Sequence, residues 1–439
     1  MLSLTRRRKR MDLDALAGPA GRTAYLAGAA GSGMRGLARI LLENGWELWG
    51  ADRAPLRADD PLVKAGLRPL REDEPPPRVS LAVRSAAVAE HDPGYSAAVR
   101  GGARPRRYAE FLGDLSRLRP VLAVCGAHGK STTTAWIAFG LRRAGLEVGF
   151  LVGAEVRQLG ACAEWGRSEL PLIVESCEYA RSFHELSPQH AALTNVDAEH
   201  PDTYPGGLAE VTAAFRQFLA RVPAAGRVFA SPEAPDLSDA TPAQWIRAAP
   251  LSAAAPVGLP GLHNRRNAAL VAGVLRHFGL GPEQVLGALA EFRGAQRRLE
   301  EVGRLHGALV VSDYAHHPTE VEATLQAARE LYRDRRILVV FQPHQAVRFQ
   351  AYRERFAASL RDCDGLLLLE VYRARDPEHL RPSVRELLPL LPARPQRPLA
   401  AAADFVEAEA WLRANLAPED VVLCFGAGDV DAFARRLAR

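Results

Sequence analysis

No apolar run in this 439-residue chain approaches the roughly 20 residues that span a bilayer, so no membrane insertion is expected. The first residues hold no apolar stretch leading to a small-residue cleavage site, and cytoplasmic residence is the expectation. Cysteine is scarce. Cys125, Cys162, Cys177, Cys363 and Cys424 show no paired metal-ligand spacing, and their odd number argues against a disulfide framework, so they are expected to be reduced thiols of the core or lining a site. A pervasive charge of one sign is also missing. The net charge of +5 equals the contribution of Arg6, Arg7, Arg8, Lys9 and Arg10 alone. The rest of the chain is balanced, which argues against a nucleic-acid partner. Residues 1–20 are expected to form a basic, disordered leader, with Met11 as an alternative start to Met1. Hydrophobic residues make up 48% of a chain too long for one core, so two or three domains are expected.

The most informative segment is Gly126-Ala127-His128-Gly129-Lys130-Ser131-Thr132, between the apolar run Val121–Val124 and a helix-like stretch Thr133–Ala144. Glycines let backbone N–H groups turn toward an anion, and a helix start adds partial positive charge. Lys130 neutralises phosphate oxygens, and the Ser131 hydroxyl can ligate Mg²⁺. Val124 stands where the general phosphate-loop pattern has its first glycine. A nucleotide phosphate site is therefore expected, without assignment to a general NTPase.

Strand-like and helix-like stretches alternate on either side. Thr23–Ala27 runs into the turn Gly28, Gly31, Ser32 and Gly33, then a helix from Met34 to Asn44 and a strand from Trp46 to Gly50. Asp52 then lies at the spacing at which an acidic residue meets a ribose. Leu81–Val88 reads as a further strand, and a first domain ends near Pro120. Leu170–Glu175 delivers Glu175 to a strand end, where α/β sheets place ligands, and Ala191–Asn195 leads into the polar turn holding Glu199 and His200. His263 to Asn267 opens a helix with Asn264 and Asn267 on one face, although an N-cap role explains Asn264 equally well. A last unit from Gln296 carries Ala308–Ser312, the cluster Asp313, Tyr314, His316 and His317, a helix Thr319–Tyr332, and strands Arg336–Phe341, Leu366–Glu370 and Asp420–Phe425. The fold class expected is α/β with three domains: Rossmann-like, phosphate-loop type, Rossmann-like.

Ordered motifs through these units carry a family resemblance. They are Gly31-Ser-Gly33-Met34, Gly126 to Thr134, Thr194-Asn195 before His200, His263-Asn264 with Asn267, Arg297-Arg298, Asp313 to Glu320, Phe341-Gln-Pro-His344 and Leu369-Glu-Val-Tyr372. The chain resembles the Mur ligases, and within them the branch that joins L-alanine to UDP-N-acetylmuramate. The resemblance implies a UDP-sugar domain over 21–120, a central ATP-binding domain over 121–295 and an amino-acid domain over 296–439, closing to assemble the active site. It implies an ATP-dependent ligase of peptidoglycan precursor synthesis, in which the lactyl carboxylate becomes an acyl phosphate and alanine's amine displaces phosphate.

The resemblance also implies roles. Lys130, Glu175, His200 and Arg297 would be catalytic, with Arg298 the fallback for Arg297. Gly126, His128, Gly129, Lys130, Ser131, Thr132, Asn264, Asn267, Arg297 and Asp313 would bind ATP. Gly28, Gly31, Ser32, Gly33, Met34 and Asp52 would hold the UDP-sugar, and His316, His317 and His344 would line the amino-acid side. Ser131, Glu175 and His200 would hold Mg²⁺, with Mn²⁺ an alternative. The chain departs from the family pattern at Ser131 in place of threonine, at Cys177 and Tyr179, at Glu199 in place of aspartate, and at Gln345 in place of arginine, where Arg348 is the compensating cation. Residues 239–256 look short for the usual central-domain excursion. A related amide ligase for another amino acid or a peptide, and a non-catalytic UDP-sugar-binding homologue, are the alternative readings.

Overall fold

The computed structural model describes residues 13–374, 376–392 and 397–438. The basic run Arg6–Arg10 lies outside the described residues. Residues Leu13–Leu16, expected in the leader, form a 3₁₀ turn that buries Leu13 and Leu16. No described helix is long and apolar enough to cross a membrane.

Three α/β domains are built on three sheets. The first contains β1 (Thr23–Ala27), β2 (Glu47–Ala51), β3 (Arg68–Pro69), β4 (Leu81–Arg84) and β5 (Arg104–Arg107), all parallel in the order β3-β2-β1-β4-β5. The second contains β6 (Val121–Cys125), β7 (Gly149–Val156), β8 (Ala161–Glu164), β9 (Leu172–Glu175), β10 (His190–Leu193), β11 (Arg227–Ala230) and β12 (Gln244–Arg247). Its order is β12-β11-β10-β6-β9-β7-β8, with only the edge pair β7–β8 antiparallel. The third contains β13 (Glu300–Leu305), β14 (Ala308–Asp313), β15 (Ile337–Phe341), β16 (Gly365–Leu369), β17 (Leu399–Ala402) and β18 (Val421–Phe425). It runs β13-β14-β18-β15-β16-β17, antiparallel only at β13–β14.

By contact density the chain forms two units. One comprises the chain up to Val196 with Thr212–Pro256 and Asn267–Phe292, and so holds the first two sheets. The other comprises Asp197–Val211, Val257–Arg266 and the chain from Arg293, and holds the third. In the first unit, β6 is buried along its whole length, as a central parallel strand covered on both faces must be. Trp136 fastens the helix Lys130–Arg143 by donating from Nε1 to Ala288 O at 2.9 Å and stacking on Phe292 at 5.0 Å. In the second unit, successive residues of β14 enter opposite cores. Leu309 and Val311 join one with Phe341 and Phe349, and Ala308 and Val310 join the other with Val422 and Phe433. Period-two alternation between two apolar environments explains why the sequence there reads as an unbroken hydrophobic run.

Candidate functional site

Parallel register carries the chemistry to the C-terminal ends of neighbouring strands in the first unit. Val124 pairs with Glu175 and Cys125 with Leu193, so β6, β9 and β10 finish side by side, and their next residues converge on the loop Gly126–Thr132. Thr194 and Asn195 shape that loop. Thr194 Oγ1 donates to His128 O at 2.7 Å, Asn195 Nδ2 donates to the same oxygen at 3.0 Å, and the His128 amide donates to Asn195 Oδ1 at 2.9 Å. Gly126 has φ +140, and a Cβ there would lie 1.9 Å from Thr194 Oγ1. Gly129 is left-handed at φ +78, and a Cβ would meet the Asn267 amide at 2.9 Å. Only glycine permits these turns. The loop then opens the helix Lys130–Arg143, whose first amide groups are free of intrahelical acceptors.

The expected hydroxyl–carboxylate pair is assembled. Ser131 Oγ donates to Glu175 Oε1 at 2.9 Å, while Glu175 Oε2 accepts the Gly153 amide at 2.6 Å. Thr132 is also buried. Two oxygen donors meeting at a phosphate loop suit the hard-oxygen preference of Mg²⁺. The Lys130 ammonium donates to Gly126 O and Ala127 O and pairs with Glu178, a residue the sequence did not single out. Burial works to neutralise Lys130, but the adjacent Glu178 carboxylate outweighs it and holds the ammonium above its ordinary range.

In the first domain, Gly28 and Gly31 lie in the turn into the helix Ser32–Glu43, Ser32 and Gly33 are the first residues of that helix, and Met34 is buried. Asp52, just past β2, accepts the Ala30 amide at 2.9 Å and the Ala54 amide at 3.2 Å, so its carboxylate supports the glycine turn.

The second unit gathers the remaining candidates. His200 has φ +50, and its amide donates to Glu199 Oε2 at 2.5 Å. Arg348 donates to that same oxygen at 3.0 Å and to Gln345 Oε1 at 2.7 Å, and its Nη2 lies 3.4 Å from His200 Nδ1. Gln345, where the family pattern has arginine, thus serves as an acceptor for the arginine one turn on. His344 stacks on Tyr372 at 5.6 Å and meets His316 edge-on at 5.6 Å. His316 lies 3.2 Å from Glu320. His317 is buried and caps the helix Pro318–Leu331 by accepting the Thr319 amide.

Asp313, at the end of β14, accepts from the Leu299 and Ala315 amides at 2.7 and 2.8 Å, and burial raises its carboxyl to about 6. Arg297 is occupied internally. It donates to Gly426 O at 2.7 Å and lies 4.7 Å over the Tyr314 ring. Arg298 lies 5.2 Å over the same ring. Asn264 is inside the helix Leu262–His277 and donates from Nδ2 to Pro260 O at 2.8 Å, so the N-cap explanation of this residue does not hold. The thiols of Cys125, Cys162, Cys363 and Cys424 are buried and that of Cys177 is exposed, all five unpaired in disulfides.

A glycine turn at the C-terminal end of a central parallel strand, with a lysine, a hydroxyl and a carboxylate at its mouth, defines an α/β protein of the phosphate-binding class. Family models describe residues 24–119 as "Mur ligase family, catalytic domain" and 297–428 as "Mur ligase, glutamate ligase domain". The chain is 33% identical to UDP-N-acetylmuramate–L-alanine ligase of Chloroflexus aggregans over 92% of its own length and 95% of the relative's. It is 35% identical to the protein of that name from Roseiflexus castenholzii, over 92% of this chain and 94% of the relative. The crystal structure of UDP-N-acetylmuramate-alanine ligase from Thermotoga maritima superposes with a TM-score of 0.77 at 24% identity, covering 94% of this chain and 98% of that one. A murein peptide ligase from Psychrobacter arcticus gives 0.72 at 22% identity, covering 95% and 98%. The chain belongs to the Mur ligase family.

Proposed function

We propose that this protein joins L-alanine to the lactyl carboxylate of UDP-N-acetylmuramate, with ATP converted to ADP and phosphate, as a cytoplasmic enzyme of peptidoglycan precursor synthesis. The observation that carries the reading is the meeting of Ser131 with Glu175 at 2.9 Å beside Lys130, on the loop Gly126–Thr132. Identity of 33–35% over 92% of the chain to relatives named for this reaction supports the choice of substrates.

A carboxylate oxygen attacks the γ-phosphorus and ADP departs. The alanine amine then attacks the acyl carbon, phosphate leaves with the bonding pair, and the amine loses a proton. Anions must approach anions in both steps, so positioning and charge neutralisation dominate over proton transfer. Lys130 and the loop amides take the β- and γ-phosphates. Ser131 and Glu175 would hold Mg²⁺ or Mn²⁺, which supplies further charge neutralisation when bound, and His200 is the additional ligand of the proposal. Asn264, Asn267 and Asp313 are the further nucleotide-binding residues of the proposal. Arg297 is the phosphate-contacting arginine of the proposal, with Arg298 as its fallback. His316, His344 and Arg348 form the amino-acid side, with His317 supporting them from its cap. The working domains are 21–120 for the UDP-sugar, held at Gly28 to Met34 with Asp52, 121–295 for ATP and 296–439 for the amino acid.

Phosphate release coupled to a chromogenic reaction, with UDP-N-acetylmuramate, ATP and alanine, serine, glycine or a tripeptide, tests the reading when combined with product mass. Turnover with alanine and a product one alanyl residue heavier is expected. Turnover with a tripeptide but not alanine would overturn the substrate assignment.

A further inference from the structure

The Lys130 ammonium is turned back onto its own loop. Nζ donates to Gly126 O at 2.7 Å and Ala127 O at 2.9 Å, and lies 3.1 and 2.8 Å from the two Glu178 oxygens. Glu178 is buried, as is most of Lys130, so neither charge is stable without a counter-charge close by. Beyond Tyr179, Ala180 and Arg181 adopt left-handed φ values of +50 and +54, a strained conformation that persists only where the surroundings enforce it. The Arg181 amide closes that turn on Glu178 O at 2.9 Å, the Phe183 amide bonds Cys177 O at 3.0 Å, and the Phe183 ring is anchored on Phe218 at 4.7 Å. Glu175, by contrast, faces Ser131 and Gly153. The two glutamates three residues apart have separate partners.

We propose that Glu178 is a positioning residue for the nucleotide. It keeps the Lys130 ammonium while the phosphate site holds no polyphosphate, gives it up when a phosphate chain engages loop amides and lysine together, and takes it back as ADP leaves. This rests on the nucleotide reading of the loop given above. A buried ammonium needs one anion at all times, and here the nucleotide and Glu178 exchange that duty. The exchange taxes nucleotide affinity by the fraction of molecules in which Lys130 is already released, and so favours product departure. A single small anion, which cannot reward the loop amides and the lysine simultaneously, gains too little to displace the carboxylate.

Isothermal titration of the full chain with ADP and Mg²⁺ tests this on wild type, Glu178→Gln and Glu178→Asp. Glu178→Gln is expected to bind ADP about tenfold more tightly than wild type, because the competing charge is gone. Glu178→Asp, with its carboxylate withdrawn by one methylene, falls between them, and the KM for ATP drops in the same order. A purely structural or metal-orienting Glu178 predicts the opposite sign, so equal or weaker ADP binding by a cooperatively melting Glu178→Gln overturns the proposal. If that variant does not fold, Glu178→Asp decides by the same criterion. Wild type that fails to bind ADP at all overturns the nucleotide reading instead.

Discussion

Arg348 donates from Nη2 to Glu199 Oε2 across 3.0 Å, with the two side chains only 1% and 4% exposed. Burial works against the Glu199 charge, but Arg348 and the nearby histidines hold its carboxyl well below the usual range. Arg348→Met leaves that carboxylate buried without its guanidinium partner, with the His200 amide as its remaining hydrogen bond. A loss of about 3–5 kcal/mol in urea unfolding is expected. Arg348→Lys, which keeps the charge but not the planar fork that also reaches Gln345, should lose less stability yet still raise the KM for alanine.

The same pair sets an acid limit. A depressed carboxyl contributes stability above its unfolded value, near 4.5, and that contribution disappears as pH falls through the folded value. Thermal melts of wild type should therefore decline below about pH 4.5, and the Arg348→Met variant should show a shallower decline over that range.

Asp313 acts with the opposite sign. Its folded carboxyl, raised by burial to about 6 from 3.8, favours the native state below the unfolded value, and that contribution is lost as pH rises through 6. Asp313→Asn removes the titration. Its melting temperature should be flatter than wild type's between pH 4 and 6, at the cost of a weakened acceptor for the Leu299 or Ala315 amide.

Lys130→Ala should abolish ATP-dependent turnover while changing UDP-N-acetylmuramate affinity by no more than about twofold, as independent sites do. Equilibrium binding of the UDP-sugar and a phosphate-release assay measure the two separately. Simultaneous loss of both would contradict the proposed division of labour between the first two domains.

Gly126→Ala should lose nucleotide binding without global unfolding. The new methyl would lie 1.9 Å from Thr194 Oγ1, and φ +140 disfavours any side chain. ADP titration beside a thermal melt separates the two effects. Full ADP affinity in the variant would show that the loop has another accessible shape.

The central strands were legible because parallel strands buried on both faces must be continuously apolar, as β6, β15, β16 and β18 are. Edge strands carry no such signature. β5 is Arg-Pro-Arg-Arg, alternately half-buried and exposed, and reads as a solvated loop. The strand expected over Leu81–Val88 stops at Arg84, because the next residues turn away once the sheet ends. Among site residues, Lys130, Ser131 and Glu175 were visible through loop chemistry and strand ends. Glu178 was not, since its partner lies 48 residues away and no local pattern announces a buried counter-ion. The capping role of His317 was likewise hidden in a run that resembles a ligand motif.

Thr194 and Asn195 grip a single carbonyl of the phosphate loop from the end of the adjoining strand. The loop therefore does not own its shape, and seven residues transplanted onto another scaffold would carry the letters of the motif without its curvature. What evolution or an engineer must copy is a two-strand edge in fixed alignment, with an amide and a hydroxyl on one strand moulding the turn that leaves the other.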